Sequence, residues 1–122
     1  MKVLCFIPVF NEESNLQELI NDINLNNYEI DEFLFVNSGS TDNSLEIIKQ
    51  SEYKYISLNE NRGLGYLFIK AIDYGIQNKF DVFVVLSGNN KMNPADFKKV
   101  LDPIIYKNYD FVSGSRYLED GL

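Results

Sequence analysis

Short apolar runs alternate with segments of helical period along the whole of this chain. Val3-Leu4-Cys5-Phe6-Ile7 is continuously apolar, the pattern of a strand buried on both faces, and Pro8 is expected to end it. Phe10-Asn11-Glu12-Glu13 forms the next loop, and Leu16, Leu19, Ile20 and Ile23 then recur at the spacing of a helix with one buried face. Asn11 or Ser14 is its expected cap, with Glu12 and Glu13 near the positive end of the helix dipole. Phe33-Leu34-Phe35-Val36 reads as a second buried strand, the dense turn-and-cap run Asn37 to Ser44 follows, and Leu45 to Gln50 begins a second helix. Tyr53 to Leu58 alternates enough for an edge strand. After Asn59 to Gly65, the residues Leu64, Leu67, Phe68, Ala71, Ile72, Gly75 and Ile76 mark the most regular helix, with that set as its apolar repeat.

Val82 to Leu86 is the fourth strand. It breaks abruptly into the polar loop Ser87-Gly88-Asn89-Asn90-Lys91-Met92-Asn93, and Asn93-Pro94 suits the cap and first turn of a fourth helix. That helix carries Phe97, Val100, Leu101, Ile104 and Ile105 on one face, with Pro103 as a kink, and Asp110 to Gly114 reads as a fifth strand. Repeated strand–helix alternation implies βαβ crossovers. The expected fold is therefore α/β, a three-layer sandwich around a mostly parallel, Rossmann-like sheet. In such sheets ligands bind beyond the carboxyl ends of the strands. The loops after the first, second and fourth strands (Pro8 to Glu13, Asn37 to Asp42 and Ser87 to Asn93) are thus expected to form one binding crevice.

Composition narrows the chemistry. The 122 residues are 45% hydrophobic and 24% charged, as for one globular domain. A net charge of −7 argues against a nucleic-acid partner or an anionic membrane surface bound through bulk charge. No apolar run is long enough to span a bilayer and no signal peptide is visible. Cys5 is the single cysteine and sits in an apolar run, which fits a core residue in a reducing cytosol. The absence of histidine removes histidine-dependent triads and histidine metal sites.

Gly63-Leu64-Gly65 follows a strand and opens a helix, but Phe68 stands at the third glycine of a dinucleotide fingerprint, so NAD or flavin is not expected. No GxxxxGK[ST] phosphate loop occurs. Asp42 has the position of a helix cap, and Lys98, Lys99 and Lys107 read as a solvated helix face.

Four ordered stretches resemble something more specific. Pro8-Val9-Phe10-Asn11-Glu12-Glu13, Val36-Asn37-Ser38-Gly39-Ser40-Thr41-Asp42-Asn43-Ser44, Asn61-Arg62-Gly63-Leu64-Gly65 and Gly114-Ser115-Arg116 are similar to the motifs of family 2 glycosyltransferases of the GT-A fold. That group includes dolichyl-phosphate sugar synthases and cell-wall and polysaccharide glycosyltransferases. The resemblance covers almost the whole chain and makes residues 1–122 the nucleotide-sugar-binding, N-terminal part of such a domain. It implies a nucleotide-diphospho-sugar, a UDP- or GDP-sugar, as donor for transfer to an unknown acceptor. Carried over by position, Pro8, Phe10 and Glu12 surround base and ribose, with Asn11 also expected to bind the nucleotide-sugar. Asn37 and Ser38 stand at the family's aspartate pair, whose second member contacts the base. Ser87-Gly88-Asn89 stands at the DXD motif, whose carboxylates hold Mg2+ or Mn2+, and Lys91 falls where a glutamine often follows.

The departures fall where the chemistry is. Hard cations favour carboxylate oxygens, and Ser87 and Asn89 offer only neutral ligands, so no metal ligand is expected at this loop. Lys91, with Arg62 or Arg116, supplies fixed positive charge instead, giving a metal-independent site; a surface lysine beside a decayed site is the alternative. No general base is evident, and the acceptor region of the family is expected beyond Leu122. The chain is accordingly a fragment, a part completed by partner subunits, or a non-catalytic nucleotide-sugar-binding or interaction module. The edge where a missing half would pack predicts apolar surface and a homo-oligomer. A nucleotidyltransferase fits less well, because no glycine- and basic-rich loop follows the first strand.

Overall fold

The computed structural model describes residues 1–27 and 29–86. The fourth helix and fifth strand expected from the sequence, and Ser87, Gly88, Asn89, Lys91 and Arg116, lie outside the described residues. Within them the chain runs β1 (Val3–Val9), α1 (Glu13–Leu25), β2 (Glu32–Ser38), α2 (Ser44–Ser51), β3 (Lys54–Leu58), α3 (Leu64–Gln77) and β4 (Val82–Val85). The four strands form one parallel sheet in the order β3-β2-β1-β4. The expected α/β layering with a parallel sheet is what forms, with β3 at an edge.

Side-chain alternation divides the core in two. Val3, Cys5, Ile7, Phe33 and Phe35 face α1 and α2, meeting Leu16, Leu19, Ile20, Ile23 and Ile48. Leu4, Phe6, Leu34 and Val36 face α3, meeting Leu67 and Ala71. The central strands are apolar on both faces because both faces are covered. Cys5 is fully buried in the first of these layers, and burial pushes its thiol pKa far up, so it behaves as an inert core residue.

Two aspartates pin the amino end of β1. The Val3 N–H donates to Asp31 Oδ2 (2.6 Å) and the Lys2 N–H to Asp81 Oδ2 (2.8 Å). The backbone N–H groups of Asp31 and Asp81 return bonds to the carbonyls of Val3 and Lys2. Both neighbours of β1 therefore enter the sheet in fixed register. At the same end the Tyr74 hydroxyl donates to Glu32, which also pairs with Lys54 at 3.1 Å, tying α3 to β2 and β3.

Three details differ from the sequence reading. Pro8 does not end β1, which stays paired with β2 through Val9. Even-numbered residues of β1 turn their backbone groups toward β4, where the Leu86 N–H reaches the Phe6 carbonyl at 3.0 Å. The next bond of a parallel ladder would come from the nitrogen of Pro8, which has no hydrogen, so Pro8 gives no donor to β4 while leaving the pairing with β2 intact. Helix α1 starts at Glu13 after Glu12, with no side-chain cap from Asn11 or Ser14. In α3 the buried positions are Leu67, Ala71 and Gly75, while Leu64, Ile72 and Ile76 of the expected apolar repeat are exposed, Ile76 to 64%.

Gly75 marks a close approach of α3 to the sheet. A Cβ there would lie 1.9 Å from Cε1 of Phe83. Gly75→Ala is expected to destabilise the fold by about 1–3 kcal/mol through this overlap. In a Phe83→Ala background the same change should be neutral or stabilising, since alanine is the better helix former by about 1 kcal/mol. Denaturant unfolding of the four proteins of this double-mutant cycle measures the coupling.

Candidate functional site

The strand order reverses between β1 and β4. The chain steps outward from β1 through β2 to β3, and α3 then carries it back across to the far side of β1. Such a switch point, at the carboxyl ends of the strands, is where an open parallel sheet leaves a crevice. A cleft of about 300 Å³ lies there, lined by Pro8 and Val9 at the end of β1, Phe10 and Glu12 after it, Ser38 at the end of β2, Asn61 and Gly63 from the loop after β3, and Leu64 and Leu67 of α3. Phe10 is 43% exposed and gives the cleft an aromatic wall. Glu12 is the one charged residue among the described lining groups. Its Oε2 accepts a long bond from Asn15 Nδ2 at 3.4 Å.

Of the residues proposed from the sequence, the structure brings Pro8, Phe10, Glu12 and Ser38 together around this cleft. Asn11 and Asn37 are placed elsewhere. Asn11, in the left-handed region at φ 51°, turns its amide oxygen onto the second loop, where the Thr41 N–H donates at 2.8 Å and the Asp42 N–H at 3.4 Å. The Asn11 N–H donates in turn to Ser40 Oγ at 3.0 Å. Asn37, 2% exposed, lies on the opposite face of β2 from Ser38, and its Nδ2 donates to Ser57 Oγ at 3.1 Å. Arg62 pairs with Glu60 at 3.0 Å and lies over the Tyr66 ring, apart from the lining groups.

Asn61, Gly63, Leu64 and Leu67 were not among the candidate site residues. The signal for Asn61 and Gly63 was present in the Asn-x-Gly-x-Gly stretch, but that loop follows β3 and was not placed at the crevice. Gly39 explains how it gets there. At φ +63° it has no Cβ to collide with the backbone of Glu60 and Asn61, which a Cβ would meet at 2.6–2.8 Å. The second and third loops can therefore touch backbone to backbone.

Asp42 anchors the first loop to the second. Its Oδ1 accepts the Ser44 N–H at 2.9 Å, a capping bond for α2, and its Oδ2 accepts the Glu13 N–H at 3.2 Å. The Ser44 hydroxyl accepts the Glu12 N–H at 2.9 Å. Partial burial pushes the Asp42 pKa up, but the hydrogen bonds from Ser44 and Glu13 outweigh it and hold the carboxyl below its ordinary 3.8. A depressed carboxylate stabilises the fold fully above the unfolded pKa and stops doing so as pH falls through the folded value. Acid titration of stability should thus show a loss below the ordinary aspartate pKa that is reduced in Asp42→Asn. Asp42→Ala should cost about 1–2 kcal/mol at neutral pH, as for a lost cap. Urea unfolding from pH 2 to pH 7 measures both.

Comparison with known proteins places the fold in a family. The chain is 28% identical to the UDP-N-acetylglucosamine–dolichyl-phosphate N-acetylglucosaminyltransferase of Methanococcus voltae over 93% of its own length and 51% of that protein. It is 32% identical to a dolichol-phosphate mannosyltransferase of Pyrococcus furiosus over 99% of this chain and 35% of the other. The chain spans about half the length of the first of these relatives. In three dimensions it superposes on glucosyl-3-phosphoglycerate synthase of Mycobacterium tuberculosis, solved with Mn2+, UDP and glucosyl-3-phosphoglycerate, with a TM-score of 0.70 at 19% identity, covering 86% of this chain and 40% of that one. The sequence pattern of glycosyl transferase family 2 matches residues 5–121, and with the parallel sheet and the crevice at its switch point in place, the chain belongs to that family.

Proposed function

We propose that the cleft binds a UDP-sugar and serves the donor side of glycosyl transfer to an acceptor hydroxyl or phosphate. The observation that carries this reading is the position of the cleft, at the carboxyl ends of β1 and β2 beside the start of α3, in a chain of this family. Phe10 offers a face for a base to stack on, Pro8 and Leu67 give apolar walls, and Glu12 can accept hydrogen bonds from a ribose diol. UDP is favoured over GDP because the M. voltae relative is named for a UDP-sugar and the M. tuberculosis structure holds UDP. In transfer, an acceptor oxygen bonds to the anomeric carbon as the bond from that carbon to the diphosphate breaks, and the diphosphate leaves with the electron pair.

The family resemblance implies a divalent cation to stabilise that leaving group. The donor set does not fit one well. Ser87 and Asn89 at the metal-motif positions are neutral, and among the described residues no cluster of three acidic, histidine or cysteine side chains could hold an ion. We therefore assign charge neutralisation of the diphosphate to Lys91, which follows β4 in the sequence. Among the described residues no helix is long and apolar enough to cross a membrane. The lone buried cysteine is compatible with a reducing cytosol. A second reading, a nucleotide-sugar-binding module without turnover, is favoured by the same neutral residues at the metal motif.

Isothermal calorimetry with UDP and GDP, each with Mn2+ and with EDTA, tests the assignment. UDP binding that survives EDTA and weakens about tenfold or more in Lys91→Ala is the expected result, as for loss of a charge-assisted contact. Binding that requires Mn2+ would overturn the role of Lys91, and absence of nucleotide binding would overturn the donor site itself. Sugar release from UDP-hexose by the chain separates the transferase from the binding module.

A further inference from the structure

The third loop holds a side chain whose hydrogen-bonding capacity is sorted by its neighbours. The Gly63 N–H lies 2.9 Å from Asn61 Oδ1, and a backbone N–H can only donate, so this atom is the amide oxygen. The Ser38 hydroxyl donates to the same oxygen, also at 2.9 Å. Both lone pairs of that oxygen are then occupied. What Asn61 has left for the cleft it lines is the pair of N–H donors on Nδ2, which have no partner among the described residues.

The Gly63 N–H sets the direction of the amide, and Ser38 reinforces it with a second donor to the same oxygen. Ser38 is 1% exposed, its proton is committed to Asn61, and it sits where the family resemblance places a carboxylate. A carboxylate there would itself accept a hydrogen bond from a base. A serine spends its proton on holding the neighbouring amide, so the cleft presents a neutral donor in place of an anionic acceptor.

Resting on the reading of the cleft as a UDP-sugar site, we infer that Asn61 is a specificity-determining residue whose Nδ2 reads the O4 carbonyl of uracil, with Ser38 as its positioning residue. A donor requires an acceptor on the base. Uracil carries O4 on the free edge of its ring, O2 being next to the ribose-bearing nitrogen, whereas cytosine carries an amino group at C4. Facing Nδ2, that amino group sets donor against donor and leaves both unpaired.

The test is calorimetric affinity for UDP and for CDP in the wild type, Asn61→Asp, Asn61→Ala and Ser38→Ala. The wild type should prefer UDP by about tenfold or more. Asn61→Asp keeps an oxygen for Ser38 and Gly63 but turns the second atom into an acceptor, so the preference should reverse toward CDP. Asn61→Ala should bring the two affinities together. Ser38→Ala removes one of the two donors that hold the amide oxygen and should narrow the ratio without abolishing UDP binding. Equal affinity for UDP and CDP in the wild type would overturn the inference, as would a ratio unchanged in both Asn61 variants. If neither UDP nor CDP binds the wild type, the cleft is not a nucleotide site and the underlying functional reading falls with it.

Discussion

A single amide oxygen, that of Asn11, and a single carboxylate, that of Asp42, hold the first and second loops against each other. The loops after β1 and β2 would otherwise carry backbone N–H groups with no ladder to satisfy them. Asn11 takes two of these from the second loop, Asp42 takes the N–H groups of Glu13 and Ser44 that open α1 and α2, and Ser44 takes another from the first loop. All but the Asp42–Ser44 bond cross from one segment to the other, so each loop is held by its neighbour. The cleft depends on this, since Phe10 and Glu12 flank Asn11 and Ser38 leads into the clamped turn.

The same clamp explains which parts of the site could be read from sequence. Pro8, Phe10, Glu12 and Ser38 could be, because the ordered motifs of the family resemblance name them and a crevice opens at the carboxyl ends of parallel strands. Asn11 and Asn37 could not be sorted from them. Asn11 is one residue from two cleft residues, yet its positive φ turns it aside, and Asn37 and Ser38 point to opposite faces of one strand. A motif names adjacent residues together, whereas the pleat separates them. Asn61 was hidden for a different reason: its place at the crevice depends on the contact between Gly39 and the backbone at Glu60, a tertiary approach with no local periodic signature.

The layering was legible because buried parallel strands are continuous apolar runs that chance composition rarely imitates. Helix α3 shows where periodicity stops being informative. It is apolar over more than one face, and spacing alone admitted Leu64, Ile72 and Ile76 to the buried set. The selection was made by small residues, Ala71 and Gly75, which let the helix axis come down onto Phe6 and Phe83 and carried the isoleucines outward. A hydrophobic repeat says that some stripe is buried; close packing against a particular ring decides which.

Pro8 has an effect that reaches past its own strand. In the parallel register its nitrogen stands where a donor for the Leu86 carbonyl would be, so that carbonyl is left with its lone pairs unclaimed by β1. Two strands that are stitched together from Val3 to Phe6 thereby lose one stitch to the chemistry of one ring. The lost stitch lies at the carboxyl end of the sheet, the end at which Pro8, Phe10 and Ser38 line the cleft. Replacing this one imino acid by a residue with a backbone N–H would return a donor to the rim of the crevice.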